Sequence, residues 1–87
     1  MASGTAQAVV ELGGGSVTSQ DSAAISTNTT ATGKNAVAVG SYSKATRLNA
    51  TAVGTTSSAT EVSTSAFGVL ANATGQRATA IGTEANA

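Results

Sequence analysis

The chain has 87 residues, of which Ala, Thr, Ser and Gly supply 55, and its four basic residues balance its four acidic residues. Val, Leu, Ile and Phe supply only 14 residues, which excludes a globular core of ordinary size and leaves a disordered chain or a regular array of small residues. The lack of Cys and His excludes disulfides and thiolate or imidazole metal sites, and the zero net charge excludes a basic surface for nucleic acid.

Residues 1–20 are predicted to form an N-terminal segment, because they do not continue the repeat that follows them. The triglycine at 13–15 is typical of a turn before a degraded first coil or of a linker, and the first residues resemble an addition made for expression. The triglycine lacks the Lys-Ser/Thr pair of a phosphate-binding loop. No apolar run approaches the roughly 20 residues that span a membrane, so no direct membrane contact is predicted.

From residue 21 to residue 87 the sequence repeats every 14 residues, which predicts about five coils of an all-β solenoid. Each copy has a short apolar strand that ends at a glycine, with Ser26 in its place in the first copy. Two strands of about five residues and two tight turns make one coil of a flat parallel β-roll, stacked about 4.8 Å from the next. The glycines are Gly40, Gly54, Gly68 and Gly82.

Period-two alternation assigns the columns of the repeat to faces. The column two residues before the glycine and the column five residues after it hold only Ala, and the column three residues after it holds only small residues. All three columns are predicted to line a narrow lumen. The residues just before the glycine are large and apolar and are predicted to lie outside. We call this row the apolar seam: Ile25, Val39, Val53, Phe67 and Ile81. Each side chain gains roughly 1.5–3 kcal/mol on full burial, so a partner surface, most simply another copy of the chain, is predicted to cover the seam.

The outward columns that follow the glycine vary freely, and they are predicted to lie on the second strand as a candidate ligand-facing surface. Tyr42 and Leu70 are predicted to be its contact anchors, since exposed aromatic and aliphatic residues contribute strongly to binding. The alternative is that this surface only solvates the fold. The candidate residues are Tyr42, Lys44, Thr46, Thr56, Ser58, Thr60, Leu70, Asn72 and Thr74.

The repeat resembles the YadA-like head of trimeric autotransporter adhesins, whose motif is N-S-V-A-I-G followed by x-x-S-x-A-x-G. The motif corresponds to residues 35–40 with Ser43 and Ala45, and again to residues 49–54. It recurs more loosely at 63–68 and 77–82. The resemblance implies a left-handed parallel β-roll that forms a homotrimer about a threefold axis. The trimer interface it implies contains Ile25, Val37, Val39, Val53, Phe67 and Ile81.

The resemblance also implies a function. Family members mediate cell adhesion and autoaggregation, and they bind host extracellular-matrix proteins such as collagen, fibronectin or laminin, or the host cell surface. It implies a role in virulence and a location at the bacterial cell surface, on a passenger anchored in the outer membrane. In the family a left-handed turn glycine often lies seven residues after the motif glycine. Gly33 and Gly75 fit that pattern, whereas Arg47 and Glu61 predict altered or mildly strained turns.

Other functions are less well supported by the residues. The scarce carboxylates show no acid–base pairing at motif spacing, so neither an enzyme nor a cofactor is predicted. A structural spacer with no ligand of its own is one alternative. An ice-binding β-solenoid is another, but it would need two flat Thr columns, and Lys44, Ser58 and Asn72 interrupt the first of them. The N-x-T sequences at Asn28 and Asn72 and at Asn49 are interpreted as by-products of the repeat rather than as glycosylation sites.

Overall fold

Two short strands and two tight turns make each coil of the chain. The computed structural model describes residues 10–17 and 22–87. Each coil contributes one strand to each of two sheets, and small residues at every second position let the two sheets lie close together. The described residues form strands β1 Val10–Leu12, β2 Ser16–Val17, β3 Ala23–Ile25, β4 Thr30–Ala31, β5 Val37–Val39, β6 Lys44–Ala45, β7 Thr51–Val53, β8 Ser58–Ala59, β9 Ser65–Phe67, β10 Asn72–Ala73 and β11 Thr79–Ile81.

The strands form two parallel sheets, ordered β1-β3-β5-β7-β9-β11 and β2-β4-β6-β8-β10. From β3 onward each strand pairs with the strand one repeat later, so that Ala24 lies opposite Ala38 and Ala45 lies opposite Ala59. A bridge between Asn72 and Asn86 continues the second sheet. The predicted all-β parallel solenoid with a 14-residue spacing is therefore confirmed.

The first coil contains a shorter turn than the coils that follow. Val10 lies opposite Ala23, an offset of 13 residues, whereas Ser16 lies opposite Thr30, an offset of 14. The triglycine at 13–15 thus replaces the four residues 26–29. A Cβ on Gly15 would lie 2.5 Å from the carbonyl oxygen of Ala24, which only glycine avoids. Within the predicted N-terminal segment, residues 10–12 and 16–17 pair with the solenoid and residues 13–15 form the turn between them, while the rest of that segment lies outside the described residues.

The space between the two sheets is filled by small side chains. The three predicted lumen columns are buried apart from Ala85 and Ala87 in the last coil, and the column four residues before the glycine joins them. That fourth column was missed, although it is also small throughout and alternation places it on the same face as Ala38. Its fully buried members are Ser22, Ala36, Ala50 and Thr64.

Most lumen hydroxyls bond the backbone of their own turn. The Ser57 hydroxyl donates to the carbonyl of Gly54 at 2.8 Å, and the Thr29 hydroxyl donates to the carbonyl of Ser26 at 3.1 Å. Among the described residues, the buried hydroxyl of Ser43 has no hydrogen-bond partner. A buried polar group lowers the stability of the fold unless it is hydrogen-bonded, so the Ser43 hydroxyl is a destabilising feature of this column.

The prediction that Gly33 and Gly75 supply left-handed turn residues was wrong. Both lack a positive φ, and the left-handed residue of that turn lies two positions later, as at Asn35 with φ 60°. The amide of Ala36 donates to the carbonyl of Gly33 at 3.1 Å, so Gly33 opens a four-residue turn whose third residue is left-handed. The corresponding Arg47 and Glu61 are therefore unstrained.

Candidate functional site

The apolar seam runs straight across the first sheet. Ile25 lies opposite Val39, and Phe67 lies opposite Ile81, with the other members paired in the same register. Phe67 is 39% exposed and Ile81 is 70% exposed, while the other three members are half-buried. In the single chain the seam is a continuous apolar row with one side open to its surroundings.

The glycine after each seam residue holds the coils together closely. Gly54 has φ 131°, a conformation that L-residues rarely adopt, and a Cβ there would lie 2.5 Å from the carbonyl oxygen of Gly68. Ser26 occupies the same column at φ 103°, and its hydroxyl shares a hydrogen bond of 3.3 Å with the hydroxyl of Ser41. The column holds a side chain at Ser26 and glycine in each of the coils that follow it.

Val37 lies beside the seam on the same face of the first sheet. It is half-buried, and alternation along β5 sets it two positions from Val39. The other residues of its column are smaller or polar: Ala23, Thr51, Ser65 and Thr79. The seam is thus one residue wide along most of its length and two wide at β5.

The candidate ligand-facing residues fall into two groups rather than one. Tyr42, Thr56 and Leu70 are exposed in the turn between the sheets, not on the second strand as predicted, and each is left-handed with φ of 61–64°. The turn keeps the stacking hydrogen bonds of the strands, because the amide of Tyr42 donates to the carbonyl of Thr27 at 3.1 Å and that of Leu70 to the carbonyl of Thr55 at 3.0 Å. These side chains therefore form a fixed corner of the solenoid.

The other candidates lie on or beside the second sheet. The outward residues of β6, β8 and β10 are exposed or half-buried, as is the threonine two positions after each of them. Part of this threonine row serves the fold, since the Thr74 hydroxyl donates to the carbonyl of Ala87 at 3.3 Å and that of Thr32 to the carbonyl of Thr46 at 3.5 Å. The residues of this face are Lys44, Thr46, Ser58, Thr60, Asn72 and Thr74.

Two exposed apolar residues were missed by the sequence analysis. Val69 is 45% exposed next to Gly68, and Leu48 is 43% exposed in the opposite turn. Val69 could have been found from the sequence, because the position directly after the glycine is Val in this copy of the repeat and Thr or Ser in the other copies. Phe67, Val69 and Leu70 together make the β9 coil the most apolar part of the described surface.

The described part of the chain offers surfaces rather than clefts. It has no pocket and no group of carboxylates, imidazoles or thiols that could hold a metal ion. Nor does it contain a helix long and apolar enough to cross a membrane. What the arrangement can do chemically is bind a partner by contact, through an apolar row on one sheet and hydroxyl, amide and aromatic groups elsewhere.

Comparison with known protein families agrees with this architecture. The family model described as the YadA head domain repeat matches the chain twice, over residues 31–57 and residues 59–85. The two matches together span more than half of the chain and contain strands β5 to β11 except for Ser58 of β8, which lies between the matches. No curated protein matches the chain at a significant level.

Proposed function

Because the chain belongs to the YadA head domain family, we propose that it forms part of the head of a trimeric bacterial surface adhesin and acts by presenting a rigid binding surface to the host. The observation that carries the proposal is the apolar seam, in register along the first sheet and half open to its surroundings. An adhesin head of this kind lies outside the cell on an outer-membrane-anchored passenger, where it contributes to virulence and autoaggregation.

Self-association is the first part of the proposal. The seam repeats with the coil spacing of about 4.8 Å, and a second copy of the chain carries a row with the same spacing. Exposed apolar rows of this length mark interaction sites. Ile25, Val39 and Val53 are half-buried while Phe67 and Ile81 are exposed, and all five are residue types of a hydrophobic core. The family supports three copies about a threefold axis, with Val37 beside the seam at the interface.

Ligand binding is the second part. With the seam covered, the surfaces that remain are the corner that carries Tyr42, Thr56 and Leu70, and the outward face of the second sheet. Tyr42 is 56% exposed and Leu70 is 46% exposed, and both have their backbones held by hydrogen bonds to the coil before. A side chain on a backbone that is already ordered binds at a lower entropic cost than one on a loop that binding must order. We propose extracellular-matrix proteins, such as collagen, fibronectin or laminin, or the host cell surface as partners.

The test is solid-phase binding of the folded protein to collagen, fibronectin and laminin. We expect saturable binding to at least one, and a loss of about thirtyfold or more for the double variant Tyr42→Ala/Leu70→Ala, since each anchor contributes about 1–2 kcal/mol. Leu48→Ala is the matched control, because Leu48 is equally exposed but lies in the opposite turn. Equal losses in the control and the double variant would contradict the assignment of the corner.

A structural spacer is the second candidate. It is favoured by the threonine row, because the hydroxyls of Thr32 and Thr74 donate hydrogen bonds to backbone carbonyls of the next coil and so stabilise the stack. A spacer holds a more distant adhesive part away from the cell and needs no ligand of its own. Absence of saturable binding to all three matrix proteins and to host cells would favour it.

A further inference from the structure

The repeat of the apolar seam creates an ambiguity in how associated chains line up. Its members pair directly across neighbouring strands, from Ile25 opposite Val39 to Phe67 opposite Ile81. A neighbouring chain displaced by one coil, about 4.8 Å, would again bring an aliphatic side chain level with another at most positions. A uniform periodic row therefore does not define which coil of one chain lies beside which coil of the next.

The β9 coil breaks this uniformity. Phe67 is the one aromatic member of the seam, and it is 39% exposed. Val69 is 45% exposed and is the one apolar residue at its position in residues 22–87. The residues at the same position in the other coils are Thr27, Ser41, Thr55 and Thr83.

We infer that Phe67 and Val69 set the axial register of the associated chains, an inference that rests on the self-association proposed above. In register, the Phe67 ring of one chain lies at the level of the neighbour's own β9 coil, where Val69 widens the apolar surface. A shift by one coil places the ring level with Thr55 or Thr83 instead, so that apolar surface faces hydroxyl groups. The shift also sets the ring opposite a smaller seam residue, which overfills one layer and leaves a gap in another.

Disulfides between single-cysteine chains can report the register, since the natural chain has no Cys. Chains with Ile25→Cys and chains with Val39→Cys, distinguished by mass, are unfolded together, refolded and oxidised. The two positions lie on neighbouring coils of the seam. When the chains are in register, cysteines at like positions lie at the same level and form the disulfide. Cysteines at unlike positions are separated by an additional distance of about 4.8 Å along the axis, which brings their Cα–Cα distance towards the limit of about 6.8 Å for a disulfide.

The expected results follow from moving the apolar pair. The parent chains should give bonds between like positions, and chains with Phe67→Val and Val69→Thr should give mixed bonds at least severalfold more often. Adding Val53→Phe and Thr55→Val to these chains moves the pair by one coil, and it should restore bonds between like positions. A residue that only stabilised the fold at position 67 would not be replaced in this way.

The inference is overturned if the parent chains already give mixed bonds at the level of the variant, if the variant shows no increase, or if moving the pair leaves the mixed bonds in place. A variant that no longer associates also overturns it, because Phe67 and Val69 would then supply affinity rather than register. Sedimentation of the reduced samples separates these results from failure of the proposed function. A parent chain that sediments as a folded monomer contradicts self-association itself.

Discussion

Replacing Gly54 with Ala should unfold the solenoid more readily than any conservative change on its surface. Gly54 has φ 131°, and an added Cβ would lie 2.5 Å from the carbonyl oxygen and 2.6 Å from the carbonyl carbon of Gly68. The backbone conformation costs about 1–3 kcal/mol for an L-residue, and crowding against a rigid backbone costs about 1–3 kcal/mol. Ser26 is tolerated in the same column at φ 103°, which favours the lower half of the range, so we expect a loss of about 2–4 kcal/mol per chain.

The matched control is Gly75→Ala. A Cβ on Gly75 would meet only the Cβ of Ala78 at 3.8 Å, and Gly75 has no positive φ, so this change should be neutral or stabilise by up to about 1 kcal/mol. Urea unfolding followed by circular dichroism measures both, at one protein concentration because the proposed association would contribute to stability. Equal stability of Gly54→Ala and the parent would refute the close stacking of the coils, and a large loss in Gly75→Ala would restore the left-handed turn that the family pattern predicted.

Three further predictions concern the seam, the lumen and the corner. Val53→Asp should dissociate and unfold the protein, because an unpaired charge would be buried, whereas Lys44→Ala should leave sedimentation and melting unchanged; a folded Val53→Asp assembly would contradict the seam. Ser43→Ala should be neutral or stabilise by about 1 kcal/mol, since it removes an unpaired buried hydroxyl, and Ser57→Ala should destabilise by about 1 kcal/mol through loss of a hydrogen bond; urea unfolding that ranks them in the opposite order contradicts this assignment. Thr56→Gly should raise the free energy of unfolding by about 1 kcal/mol because the left-handed backbone at φ 61° is unfavourable for a β-branched residue, and destabilisation would contradict it.

The spacing and the lumen could be predicted from the sequence because every coil repeats the same physical constraint. A column that admits nothing larger than Thr must face a confined space, and a Gly column at a fixed interval marks a turn or close approach. The buried column of Ala36, Ala50 and Thr64 was predictable in the same way, since it follows from alternation with Ala38.

The turn conformations and the first coil could not be predicted in this way. Leu70 and Thr56 are residue types that avoid left-handed backbone, so nothing in their chemistry indicates φ of 61–64°. The first turn is one residue shorter than the others, but the sequence does not reveal this, because the triglycine at 13–15 has no side chains to align with the columns of the repeat. Backbone pairing between coils decides both features, and it is invisible to a pattern of side chains.

The corner between the sheets shows how this fold can vary its surface without changing its backbone. Asn28 and Glu84, at opposite ends of the corner, have φ of 58° and 61°, and the three unlike residues between them fall within 61–64°. Five different side chains would not share one conformation of about 1–2 kcal/mol cost by local preference. Hydrogen bonds from coil to coil impose it, as at Glu84, whose amide donates to the carbonyl of Val69 at 2.8 Å. Because stacking sets the backbone, the side chain at each corner position can change with little change of fold.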